Sequence, residues 1–167
     1  MFIQNYDNNC KTLILGIGNT LLTDEGIGIH VLNAMQSSDK LSADTCLMDG
    51  GTLSFTLAGP IENCDKFIVI DAAELKSPPG TVKVFEAEDM DKYITTGNQR
   101  SVHEVSLADV MSIALLSGHL PEKRAIIGIQ PHNFDWGEFP SEFVGAAIPH
   151  AVKEVERLIE EWSCVVS

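Results

Sequence analysis

Five short apolar runs bounded by turn-forming residues recur along the chain: Thr12 to Ile17 (TLILGI), Thr45 to Met48 (TCLM), Lys66 to Ile70 (KFIVI), Thr81 to Phe85 (TVKVF) and Ala125 to Ile129 (AIIGI). Runs this short, rich in β-branched residues, predict strands. Helical spacing fills the intervals at Gly26 to Met35, at Leu53 to Leu57 and beyond, at Val105 to Leu116, and at Glu142 to Trp162 with an interruption at Pro149. Strands alternating with helices predict an α/β fold, a three-layer α/β/α sandwich around a mostly parallel twisted sheet. The Thr81 run follows Pro78, Pro79 and Gly80 too soon after the Lys66 run for a helical crossover, so it is expected to run antiparallel. The polar first ten residues and the tail after Trp162 are expected to lack regular structure. No repeat or low-complexity tract appears, and residues 1–167 read as a single domain.

With 44% hydrophobic residues, a chain of 167 can bury a core large enough to fold alone. Asp and Glu number 24 against 11 Lys and Arg, a net charge of -13, which argues against nucleic acid as a partner. The opening residues lack a basic stretch followed by an apolar one, and no segment approaches the roughly 18 uninterrupted apolar residues of a membrane helix. A cytoplasmic location without a membrane partner is expected. Cys10, Cys46, Cys64 and Cys164 are scattered, with no paired spacing, and are expected to be reduced and structurally ordinary.

The first strand runs into Gly16-Ile17-Gly18-Asn19-Thr20-Leu21, which begins like a dinucleotide fingerprint but carries Leu21 at the third glycine position. Asp24 and Glu25 follow where a phosphate would dock, and two anions repel a third. The glycines alone are equally served by a tight strand-to-helix turn, with Thr23 or Asp24 as an N-cap.

In a mostly parallel sheet, residues past the carboxyl ends of the strands gather at one edge. Glu25 follows the first strand, Asp71 closes the apolar run FIVID, and His103 lies at the start of the Val105 helix. Two carboxylates and an imidazole suit a divalent first-row ion, with coordination positions left open. Taken singly, Asp71 reads first as a strand-end helix cap and His103 as a surface residue at a helix start. The loop Asp49-Gly50-Gly51-Thr52 reaches the same edge, either to let a peptide backbone approach or as a simple turn. His30, His119, His132 and His150 carry no such pattern and read as structural or solvated.

Taken in order, LILGIGNTLLTDEGIG, LMDGGT, FIVIDA with PPGTV, SVHEVSLADV and IIGIQP resemble the hydrogenase-maturation endopeptidases over roughly residues 12 to 162. The resemblance implies a five-stranded sheet with one antiparallel strand. It implies removal of a C-terminal extension from the large-subunit precursor of a nickel-iron hydrogenase, once nickel is installed. The family's metal-contacting residues fall on Glu25, Asp71 and His103, and its precursor-recognition segment falls on Asp49, Gly50, Gly51 and Thr52. Nickel is then supplied by the substrate rather than held permanently, and the protease is expected to be a monomer.

No nucleophile elbow, reactive cysteine or H-E-x-x-H helix is present, so the catalytic group is not assigned from the sequence. Glu25 and Asp71 remain open as general base, at a cleft rather than in the core. Two other readings stand beside this one: a zinc hydrolase owning its metal, and a non-catalytic chaperone of the immature subunit.

Overall fold

A computed structural model describes residues 3–4, 10–96 and 106–164. Six strands form one sheet: β1 (Ile3–Gln4), β2 (Thr12–Ile17), β3 (Thr45–Gly51), β4 (Lys66–Ala72), β5 (Val82–Glu86) and β6 (Lys123–Ile129), in the order β1-β3-β2-β4-β6-β5. The pairs β2/β3, β2/β4 and β4/β6 are parallel, while β5 runs antiparallel to β6 as expected from its short connection. The expected five strands are joined by β1, whose Ile3 and Gln4 pair antiparallel with Met48 and Leu47. The first ten residues therefore do contribute regular structure, because the outer edge of β3 offers main-chain partners that no hydrophobic pattern announces.

The helices are α1 (Ile27–Met35), α2 (Ala58–Glu62), α3 (Ala87–Thr95), α4 (Leu107–Leu116), α5 (Glu142–Ala146) and α6 (Ile148–Ser163). Alternate residues of the central strands feed two cores. Leu13, Leu15, Ile17, Phe67 and Val69 pack with α2, α3 and α4 on one face. Ile14, Ile68, Ile70 and Ile127 pack with α1, α5 and α6 on the other. Burial on both faces explains why these strands read as unbroken apolar runs rather than as alternation.

The interruption expected at Pro149 falls just before Ile148, and Pro149 sits in the first turn of α6, where a missing N–H costs nothing. Helix α4 starts at Leu107 rather than Val105, under a capping box in which Ser106 and Asp109 satisfy each other's main-chain N–H. Helix α3 has no counterpart in the hydrophobic pattern. Only Met90, Tyr93 and Ile94 are buried on it, amid acidic residues, and it is fastened by Asp91, which takes a forked ion pair from Arg124 at 2.9 and 2.5 Å.

The cysteines correct a further expectation. Cys10 and Cys46 form a disulfide with Cα atoms 5.8 Å apart. The parallel register, with Thr12 beside Thr45 and Leu13 beside Cys46, brings together two residues separated by 36 positions. Cys64 is buried, its thiol pushed up to about 12 by loss of solvation, whereas Cys164 is exposed. A charged alkylating reagent should therefore label Cys164 alone in the native, unreduced protein, as counted by intact mass. Denaturation should add Cys64, and reduction should add two more sites.

Candidate active site

The sheet order places the topological switch at β2 and β4: the chain leaves β2 for β3 on one side, then crosses back to β4 on the other. At such a point the connections diverge, and the sites of open α/β sheets lie beyond the carboxyl ends of the strands. Glu25 and Asp71 lie there, one just after β2 and one within the last turn of pleat in β4.

Glu25 sits in a short 3-10 turn, Thr23–Gly26, that leads directly into α1. The turn is pressed onto the end of β2 by an absence of side chains. Gly18 has φ +137°, and a Cβ there would lie 1.8 Å from the Glu25 carbonyl oxygen. Gly28, in the first turn of α1, faces the carbonyls of Ile70 and Ile17, which a Cβ would approach to 2.3 and 2.4 Å. The glycine loop thus brings a helix and its preceding turn into main-chain contact with two strands, fixing Glu25 beside β4.

Asp71 pairs in register with Gly128 of β6, one residue beyond the last β2 pairing of β4, Ile70 with Gly16. Both carboxyl groups are more enclosed than a cleft-lining residue was expected to be, with 8% of Glu25 and 4% of Asp71 exposed. Asp71 belongs to the packed end of β4, and Glu25 to a turn pressed onto the end of β2, rather than to projecting loops. Burial pushes the Asp71 carboxyl up to about 8; a hydrogen bond with the Ala72 main chain opposes the rise, and the negative charge of Glu25 adds to it. Glu25 and Asp71 therefore act on each other electrostatically. Tyr93 of α3 is pushed up to about 12 by burial and by the charges of Asp71 and Glu74, which places its phenol in the same neighbourhood. His103 lies outside the described residues, between α3 and α4. Among the described residues no group of three His, Cys, Asp or Glu is arranged to hold a metal.

Asp49, Gly50 and Gly51, expected as a loop after a strand ending at Met48, instead form the end of β3, paired with Gly16 and Ile17 of β2, and reach the same edge with Thr52. Asp49 turns its carboxylate onto the Gly51 N–H at 2.8 Å, and the Gly51 carbonyl accepts from Gly18 N–H at 2.8 Å. Gly50 faces Leu15, whose Cδ1 would lie 2.9 Å from an added Cβ, and Gly51 has φ +51°.

Asp24, which the sequence offers only as an N-cap or a phosphate-repelling anion, and Gln130, which it does not single out, organise this edge. Asp24 is fully buried and accepts four hydrogen bonds from the segment after β6: from His132 N–H at 2.8 Å, Asn133 N–H at 3.0 Å, Ser141 N–H at 2.6 Å and the Ser141 hydroxyl at 2.9 Å. Neither Thr23 nor Asp24 caps a helix. The Thr23 hydroxyl donates to Asn133, and the adjacent main chain of Leu22 bridges Gly137. Gln130 takes the Leu75 N–H at 2.7 Å and so holds the turn after β4. The only sequence signal for Asp24 was a second carboxylate beside Glu25, and partners 108 to 117 positions away leave no local pattern. Of the other histidines, His30 is lowered by burial, with its Nε2 enclosed and without a hydrogen-bond partner, and His150 lies 3.6 Å from Glu154.

The sequence model of the family described as hydrogenase maturation protease matches residues 29–158. The hydrogenase expression/formation protein HupD of Rhizobium leguminosarum bv. viciae is 35% identical over 158 residues, covering 94% of this chain and 78% of that one. The chain belongs to the hydrogenase maturation protease family. The hydrogenase 2 maturation protease of Escherichia coli K12 is 33% identical over 152 residues, 90% of this chain and 92% of that protein. The solved hydrogenase maturating endopeptidase HybD of E. coli superimposes with a TM-score of 0.84 at 32% identity, covering 91% and 93% of the two chains. The [NiFe] hydrogenase maturation protease HybD of Thermococcus kodakarensis gives 0.74 at 27% identity, covering 89% and 99%. This hydrogenase maturation protease is accordingly a hydrolase, an endopeptidase, and the switch point at the ends of β2 and β4 is its candidate active site.

Two stability predictions follow from these carboxyl groups. The Asp71 carboxyl holds its proton more tightly folded, at about 8, than at its ordinary 3.8, so its ionisation opposes folding increasingly from about pH 4 to pH 8 and by a constant amount above. In metal-free protein, Asp71→Asn should melt like the parent near pH 4 and gain on it through that window, by on the order of a few kcal/mol at the plateau. A gain that shrinks as pH rises would contradict the assignment. Asp24→Asn should act oppositely, losing roughly 2–4 kcal/mol in denaturant titration, because an amide NH2 replaces an acceptor facing three main-chain donors and a hydroxyl.

Proposed function

We propose that this endopeptidase removes the C-terminal extension of a nickel-iron hydrogenase large-subunit precursor after nickel insertion, reading the substrate's nickel through Glu25, Asp71 and His103. The observation that carries the reading is the meeting of Glu25 and Asp71 at the switch point, enclosed and close enough for the charge of one to raise the proton affinity of the other. Two carboxyl groups held together at a cost in solvation favour an incoming cation, which relieves both burial and mutual repulsion. With an imidazole, they form a borderline-hard, incomplete ligand set; the substrate's own ligands complete the shell. Nickel is thus part of the substrate, and it docks the scissile bond in place. Glu25 or Asp71 then serves as general base toward the attacking water.

Asp49, Gly50, Gly51 and Thr52 form a second contact with the precursor. Their turn is closed by the Asp49 side chain and hydrogen-bonded to Gly18, which ties it to the Glu25 loop. The protease acts as a monomeric single domain carrying no nickel of its own.

The test is incubation with nickel-loaded and metal-free forms of one precursor, followed by mass analysis of the released peptide. Cleavage is expected only of the loaded form, and prior chelator treatment of the protease alone should change nothing. Glu25→Gln and His103→Ala should each lower processing by about 100-fold with the thermal melt retained. Equal cutting of both precursor forms would remove the metal-reading model.

A further inference from the structure

The segment from Pro131 to Ser141 is fastened to the Glu25 turn, yet it holds large apolar side chains out in solvent. Asp24 grips both its ends, Thr23 N–H donates to the Gly137 carbonyl at 2.8 Å, and Gly137 N–H donates to the Leu21 carbonyl at 2.9 Å. Beside these anchors, Trp136 is 83% exposed, Phe139 78% and Leu21 52%. An anchored backbone presenting exposed aromatics has already met the ordering cost that a binding loop otherwise meets on contact.

The charged side chains that this segment itself contributes have one sign. Asp135, Glu138 and Glu142 are exposed among them, and no Lys or Arg occurs between Arg124 and Lys153. A second copy of this chain would bring the same carboxylates together, in a protein already at -13. An apolar segment flanked by basic side chains meets both the aromatics and the carboxylates.

We propose that Leu21, Trp136 and Phe139, rimmed by Asp135, Glu138 and Glu142, form a docking surface for an apolar, basic segment of the protein substrate next to its scissile bond. The surface is continuous with the active site, because the strand-like bridge between Leu22 and Gly137 lies three residues from Glu25. This inference rests on the reading of the substrate as a nickel-loaded hydrogenase large-subunit precursor, but it concerns peptide contact rather than metal contact.

Steady-state processing of that precursor by the Trp136→Ala/Phe139→Ala variant tests it. KM should rise about tenfold with kcat within about twofold, since truncated aromatic anchors lose binding rather than chemistry. Glu138→Lys with Asp135→Lys should also raise KM, and added salt should weaken wild-type binding while affecting the charge-reversed variant less. Thermal melting checks that these exposed substitutions leave the fold intact. An unchanged KM in the aromatic variant overturns the proposal. So does a wild-type dimer, seen by sedimentation, that the aromatic variant abolishes, for the surface would then belong to a second copy. If wild-type protein cuts metal-free and loaded precursor alike while the KM effect persists, the metal-reading function fails and the docking surface stands.

Discussion

Main chain packed directly on main chain, without side chains between, is the constraint on which the active edge depends. Gly28 lets the first turn of α1 rest against the carbonyls of Ile17 and Ile70, and Gly18 lets the preceding turn close over the end of β2. A single methyl group at either point has nowhere to go, since the obstructing atoms belong to backbone and not to flexible side chains. The helix axis, the turn carrying Glu25 and the end of β4 carrying Asp71 are thereby placed relative to one another by contacts that admit little adjustment.

Within that frame, two neighbouring carboxyl groups have opposite surroundings. Asp24 faces inward toward four donors and spends its acceptor capacity on holding the segment after β6. Glu25, one residue on, faces the Asp71 side and makes that acid harder to ionise. The same short turn therefore contains a structural acid and a candidate working acid, and the geometry of a 3-10 turn, about 120° per residue, is what sends adjacent side chains in different directions.

The sequence was informative where a physical signal is local. The strand Thr12–Ile17 was bounded correctly because both its faces are buried and its ends meet turn residues. The antiparallel course of β5 was legible from the shortness of its connection. Helix α3 is not legible because it buries only three residues amid acidic ones, and the Arg124 that pairs with its Asp91 lies on another element. The pairing of Cys10 with Cys46 and the grip of Asp24 on Ser141 depend on register and chain crossing, which no spacing rule reports. At the candidate site, residue identity singles out Glu25 and Asp71, and the structure brings them together; their enclosure, and hence the raised proton affinity of Asp71, follows only from how the turn and strand ends pack.

The outer strand β5 bears on how the protease behaves at high concentration. Among the described residues it pairs with β6 along one side only, so its other side presents main-chain groups that an extended chain could extend the sheet from. Its exposed positions, however, are Lys83 and Glu86, with Glu88 and Asp89 just beyond. A stranger strand seeking to extend the sheet would have to bury or neutralise these charges. That arrangement discourages edge-to-edge aggregation of one copy of the protease with another.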